Sequence, residues 1–347
     1  LESKKYIDDV IMYSINLADF SIYNRLRGLV YHIKNIEKLI EKYPNHINDK
    51  YIYLRLGVLY FMKYFHSNNY SDCQSALENF SSEIKSSNQS DYRNYWAKCG
   101  YVICSHQLKK KFNRNDLNNP PGGFRSRAIN YPIIIYLIIK SKIILGESNW
   151  ANSFLKRKIE NNINKQINDF KDDIKYQNII INKYKIVLEE WMYLIYKDYI
   201  QDTINVEESC KRFIKVNEIF KYRILGETLN LNNNFKNNLS HIMDNLEHKK
   251  IGSSILYITN KFNSIGERSL FIIIAIDIKT KRFEFEACSG ELYNDLKYKW
   301  DKIINNFEDD LKIEKFSNYL NRNTGLDKFL NTNSITIPNS LFIDIPL

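Results

Sequence analysis

Apolar and polar positions follow two different periods along this chain, and the change falls near Ile251. From Tyr6 to about Glu247 apolar residues return every three or four positions, the period of a helix with one buried face. "YIYLRLGVLYFMKYF" (Tyr51 to Phe65) is apolar on nearly every face, which predicts a helix enclosed by others. "SDCQSALENFSSEI" (Ser71 to Ile84) is expected to follow after a loop of several residues, with Ser71-Asp72 as its cap signal. Further helices are predicted over Ile129–Leu145, Ala151–Lys171, Tyr176–Tyr199, Glu207–Leu225 and Leu239–Lys249. "NNPPGGFRSR" (Asn118 to Arg127) breaks the series into a loop, and Asn-rich "LNLNNNFKNN" (Leu229 to Asn238) interrupts it again.

Beyond Gly252 the pattern becomes that of strands. "SSILYIT" (Ser253 to Thr259) and "SLFIIIAIDI" (Ser269 to Ile278) are rich in β-branched and aromatic residues. "KRFEFEAC" (Lys281 to Cys288) alternates, with Phe283 and Phe285 on one face. The short connection Ile278 to Lys281 predicts an antiparallel hairpin between the last two runs. "LFIIIAI" is continuously apolar, as in a sheet covered on both faces. Amphipathic helices are expected over Ser289–Phe307 and Ile313–Leu330, and a strand within "SITIPNSLFIDIPL" (Ser334 to Leu347). The order β-β-β-α-α-β is the opening of an α/β layer structure. The chain therefore reads as mostly α, with a helical region over 1–250 and an α/β region over 251–347.

Composition sharpens that division. Gly (11) and Pro (6) are scarce over 347 residues, which favours long helices over a strand-and-turn sandwich. From Ile251 onward 12 Lys/Arg face 13 Asp/Glu, whereas the preceding residues carry 38 against 27, so the helical region holds the positive excess. A basic excess suits an acidic partner. No basic stripe interleaves with aromatic stacking platforms, so nucleic acid is not the expected partner. "YPIIIYLIIKSKIILG" (Tyr131 to Gly146) meets Lys140 and Lys142 well before the ~20 apolar residues of a membrane span. Five cysteines without regular spacing fit a reducing compartment, and a cytoplasmic location is expected. The first residue is Leu, and the last stretch runs into apolar residues, so the chain is expected to be a fragment of a longer protein.

Within the first two long helices stand Tyr53-x2-Leu56-Gly57-x2-Tyr60 and then Ala76-x3-Phe80. Trp96-x2-Cys99-Gly100-x2-Ile103 repeats the first half 43 residues later. This resembles the tetratricopeptide pattern, whose usual period is ~34 residues. The resemblance implies an irregular helical solenoid whose concave face holds a peptide or a partner protein. The signature residues themselves are expected to pack rather than to bind.

The region from Gly252 to Leu347 resembles the beginning of a CHAT domain, the caspase-like, separase-related peptidase domain often joined to tetratricopeptide repeats. Pro338-Asn339-Ser340-Leu341-Phe342-Ile343-Asp344-Ile345-Pro346 is similar to that family's Pro-Asp-Gly-x-Leu-x-x-Leu-Pro, with both prolines at the family spacing. Asn339 stands for Asp, Ser340 for Gly, and Phe342 and Ile345 for Leu. The resemblance implies a parent cysteine endopeptidase with a His-Gly and a later Cys on strands beyond this motif. No His follows His248, so this chain is expected to lack the dyad and to be inactive. A non-enzymatic helical-repeat adaptor with a structural α/β end is the alternative.

Other chemistry is sparse. "EACSG" around Cys288 imitates a caspase-like nucleophile, with His241 and His248 upstream, but Cys288 ends a hairpin arm rather than a crossover strand. Glu284 and Glu286 on the same strand are expected to raise its pKa. Cys99, Cys104 and His106 step by five and two, which does not converge on a metal. "PPGGFRSR" lacks the Lys-Ser/Thr of a phosphate loop. His32, His46 and His66 have no partner at a useful step. No catalytic, cofactor-binding or metal residue is therefore predicted, and no cofactor.

Overall fold

The computed structural model describes residues 26–44, 52–118, 120–123, 128, 131–169, 174–220, 254–259, 261–277, 282–293 and 342–344. The chain is mostly helical and divides into two compact units, Leu1–Val187 and Leu188–Leu347. The division lies inside a long helix, upstream of the change of period at Ile251. Periodicity marks where element type changes; compaction follows which elements share a core.

The first unit opens with α1 (Leu26–Lys42), α2 (Ile52–Ser67), α3 (Tyr70–Ser86) and α4 (Tyr92–Gln107). A 3₁₀ turn follows at Arg114–Leu117, then α5 (Pro132–Ile144). Next come α6 (Ser148–Phe154), a π-helical turn (Leu155–Ile159) and α7 (Glu160–Asp169), one continuous stretch that starts three residues before the expected Ala151. The first half of α8 (Ile174–Ile200) belongs to this unit.

The link between α2 and α3 is shorter than expected. Only Asn68 and Asn69 separate them, because the extra residues lie in the helices and not in a loop. Asn68 takes φ 53°, a left-handed turn that Asn tolerates better than most residues. Asn69, not Ser71, is the cap: its Oδ1 accepts from the backbone N–H of Ser71 at 3.0 Å. Helices of 16 and 17 residues nearly fill a ~34-residue repeat before any link is counted. Helix starts accordingly recur at Ile52, Tyr92 and Pro132, forty residues apart.

Close approach between these helices depends on two glycines. A Cβ on Gly57 of α2 would sit 2.6 Å from the Phe80 ring, and one on Gly100 of α4 would sit 2.5 Å from it. Phe80 of α3, fully buried, is thus clasped between two bare backbones. No other residue type leaves that space.

In the second unit four strands form one sheet in the order β3-β2-β1-β4. They are β1 (Ser254–Ile258), β2 (Leu270–Asp277), β3 (Arg282–Ser289) and β4 (Phe342–Asp344). β2 and β3 pair antiparallel over all eight residues, the expected hairpin. β1 pairs antiparallel with β2 and parallel with β4. Phe271, Ile272, Ile273 and Ile274 are all fully buried, so both faces of β2 are covered, as its continuous apolar pattern requires. On one face α9 (Val206–Phe220) brings Phe213 to 5.6 Å from Phe285 and 6.2 Å from Phe262. Tyr199 of α8 meets Phe285 edge-on at 4.5 Å. Residues 290–293 begin a helix, and its Tyr293 packs on Phe271 at 5.4 Å. The expected helices over Leu239–Lys249 and Ile313–Leu330 lie outside the described residues, as do residues 221–250.

Candidate protein-binding region

Three helices carry the repeated motif or follow at its spacing, and each is enclosed. Every residue of α5 from Pro132 to Lys142 is buried. Lys142 survives there because its Nζ reaches Glu147 at 2.9 Å and the Leu117 carbonyl at 3.4 Å, fastening the 3₁₀ turn to the end of α5. Phe61 and Phe65 of α2 meet Tyr136 of α5 at 6.0 and 6.1 Å, so aromatic rings fill the space between these helices.

A different arrangement gathers where α2, α4 and α5 begin. Tyr131 before α5 links them into one rim, since it stands beside Trp96 of α4, with Tyr92 and Arg93, and acts on Arg55 in the first turn of α2. Tyr92 and Trp96 pack edge to face at 4.7 Å, and Tyr131 stands 6.2 Å from Trp96. The Arg93 guanidinium lies 5.9 Å over the Tyr92 ring and pairs with Asp91, whose Oδ1 caps α4 by accepting from the Arg93 N–H at 2.9 Å. Burial lowers the Arg55 pKa, while the Tyr131 phenol opposes that. Glu83 of α3 reaches in from beside them, and its Oε2 accepts from the Leu54 N–H at 3.2 Å. Burial pushes the Glu83 carboxyl up, partly offset by that bond and by Arg93. Trp96 is 6% exposed, and its indole N–H meets no acceptor among the described residues. Tyr131, at 43% exposed, is the open part of the cluster.

Guanidinium groups beside aromatic faces suit carboxylates and peptide groups, because the planar fork donates in pairs while the rings bury apolar stems. Sequence reading named Trp96 only as a packing residue and did not connect it with Arg55 or Tyr131. The available signal was spacing: Arg55, Arg93 and Tyr131 stand 38 residues apart in turn.

The other candidates are separated by the fold. Cys288 is buried on β3 opposite Phe271, and burial, then Glu286, push its thiol up to about 12. The Gly of "EACSG" has a packing reason: a Cβ on Gly290 would meet the Ser269 Cβ at 2.8 Å and its backbone carbon at 3.0 Å. His241 and His248 lie outside the described residues, as do His46 and residues 124–127 of the "PPGGFRSR" loop. Cys99 faces Ser141 of α5, Cys104 faces Cys73 of α3, and His106 is exposed, so the three diverge. Among the described residues no group of three His, Cys, Asp or Glu is arranged to hold a metal ion. His32 and His66 pack edge-on against Tyr31 and Phe65, and burial lowers both pKa values. No described helix is long and apolar enough to cross a membrane. No family model matches the chain, and no curated protein matches it.

Proposed function

We propose that this chain is a tetratricopeptide-like protein-binding region joined to the first, non-catalytic part of a CHAT-type cysteine peptidase domain. Its parent is then a proteolytic effector whose helical region receives a partner protein. One observation carries the helical half of this reading. Phe80 is clasped by Gly57 and Gly100, the two glycines of the repeated motif, which is the helix–helix–helix packing that motif implies. Support for the second half is topological. A β-hairpin precedes a strand from the Pro-flanked motif, and that strand, β4, joins the sheet parallel to β1.

The rim around Arg55, Trp96 and Tyr131 is where we place the partner, since rings fill the space between α2 and α5. The positive excess of the helical region favours an acidic protein segment there. The test uses the full chain as bait in the source lysate at low and high salt, beside the double variant Arg55→Ala/Tyr131→Ala. A partner recovered by the wild type, weakened by salt and lost from a variant that keeps the wild-type melting curve is the expected outcome. Equal recovery by both proteins overturns the rim assignment. Cleavage of that partner by the chain itself would overturn the non-catalytic reading.

A further inference from the structure

Cys73 and Cys104 form a thiol pair that the binding reading does not use. Cys73 stands at the fourth position of α3 and Cys104 in the last turn of α4. The two helices are joined by Ser87–Asp91, so they form a hairpin closed at that end. Phe80 opposite Gly100 sets the register, and moving back along α3 while moving on along α4 brings Cys73 to Cys104. The Cys73 thiol donates to the Cys104 carbonyl oxygen at 3.8 Å, and the two side chains influence each other's protonation. Both are fully buried. They sit at the open end of the hairpin, opposite the Ser87–Asp91 connection.

We propose that Cys73 and Cys104 are a reversible oxidation site, forming an intrachain disulfide that staples the open end of the α3–α4 hairpin when a peroxide is the oxidant. Cys73 is the attacking sulfur. It lies in the first turn of a helix, where the dipole favours a thiolate. The Cys104 side chain and then the Lys110 ammonium lower its pKa against the opposing effect of burial. Burial pushes the Cys104 thiol well up, which suits the resolving partner. The other groups at this place are the Tyr64 phenol, which donates to Gln107 at 3.2 Å, and Asp72, which Lys63 holds at 2.7 Å.

The chemistry balances in two steps. The Cys73 thiolate attacks one peroxide oxygen, the O–O bond breaks, and the departing hydroxide takes a proton to leave as water, giving a Cys73 sulfenic acid. Cys104 then gives up its proton and attacks the Cys73 sulfur. The S–O bond breaks, and a second water leaves. Two thiols are oxidised by two electrons and one peroxide is reduced; a dithiol reverses the change.

Treating the full chain with hydrogen peroxide, alkylating under denaturing conditions and mapping peptides without reductant tests this directly. The expected product joins the Cys73 and Cys104 peptides, lighter by two hydrogens, with Cys99, Cys210 and Cys288 recovered alkylated and dithiothreitol restoring both thiols. In a Cys104→Ser variant, dimedone should trap Cys73 as the sulfenic acid. Recovery of both residues as free thiols, cross-links that pair either with another cysteine, or sulfinic acid without a disulfide overturns the proposal. Should the variant not fold, mapping the unaltered chain decides the matter alone.

Discussion

The clasp around Phe80 and the buried strand β2 both build dense interiors, but they depend on the sequence in opposite ways. In the helical unit three residues that stand far apart in the chain, Gly57, Phe80 and Gly100, fix how three helices meet. In the sheet unit a run of neighbours, Phe271 to Ile274, is buried to the same degree, and a backbone ladder fixes the geometry. Shape at a few positions carries specificity in the first case. Repetition of one residue class carries it in the second, so the helical unit should fail at single positions where the sheet unit tolerates change.

The strongest way to break this comparison is Gly100→Val. Its side chain overlaps the Phe80 ring, and overpacking against a ring with no room to move should cost about 3 kcal/mol. Phe80→Ala should cost ~3–5 kcal/mol by leaving a cavity. The double variant should lose much less than the sum, because Phe80→Ala opens the space that the valine side chain then fills. Denaturant unfolding of the four proteins measures this cycle; additive losses would show that the ring is not held between the two glycines.

How the sequence foretold these units differs in the same sense. The hairpin over Leu270–Ser289 was legible because alternation and a short link are local signals. The enclosed helix Ile52–Ser67 was legible because its residues are apolar all round. The two-residue link was not, since Asn68 and Asn69 read as loop although one turns left-handed and the other caps. The repeat read as 43 residues between glycines, whereas helix starts recur at forty, because Gly57 and Gly100 sit at different depths along their helices. Arg55 and Trp96 come from two helices and Tyr131 from the residue before a third, and Cys73 meets Cys104 only through the hairpin register. No local pattern announces contacts of that kind.

Thiol chemistry sharpens the comparison at the next level. With its thiol pushed up to about 12 by burial and Glu286, Cys288 should react with iodoacetamide at neutral pH at least ~100-fold more slowly than a simple thiol of pKa ~8.5. Labelling rates from timed quenching and peptide mass spectrometry check this. Fast labelling of Cys288 would instead mark a functional thiol in the sheet unit.

The smallest expected effect concerns Glu286 itself, whose Oε2 is buried with no partner among the described residues. Burial raises its pKa in the folded chain above the unfolded value. The folded state therefore binds the extra proton between those two values, and stability falls as pH rises through that window. Glu286→Gln should raise the melting midpoint at neutral pH by under about 1 kcal/mol equivalent, the scale of half-exposed charges, with the gain vanishing below the ordinary carboxylate range. A gain that persists in acid would assign the effect to packing.

The Phe80 clasp has a mechanical consequence. A protein interior compresses little, so a ring wedged between two backbones behaves as a rigid spacer. A displacement imposed on α4, by docking at the rim or by a staple at the hairpin's open end, cannot be absorbed between Gly100 and Gly57. Any change that shifts α4 against α3 at Gly100 therefore meets the same ring that sets the spacing of α2 at Gly57.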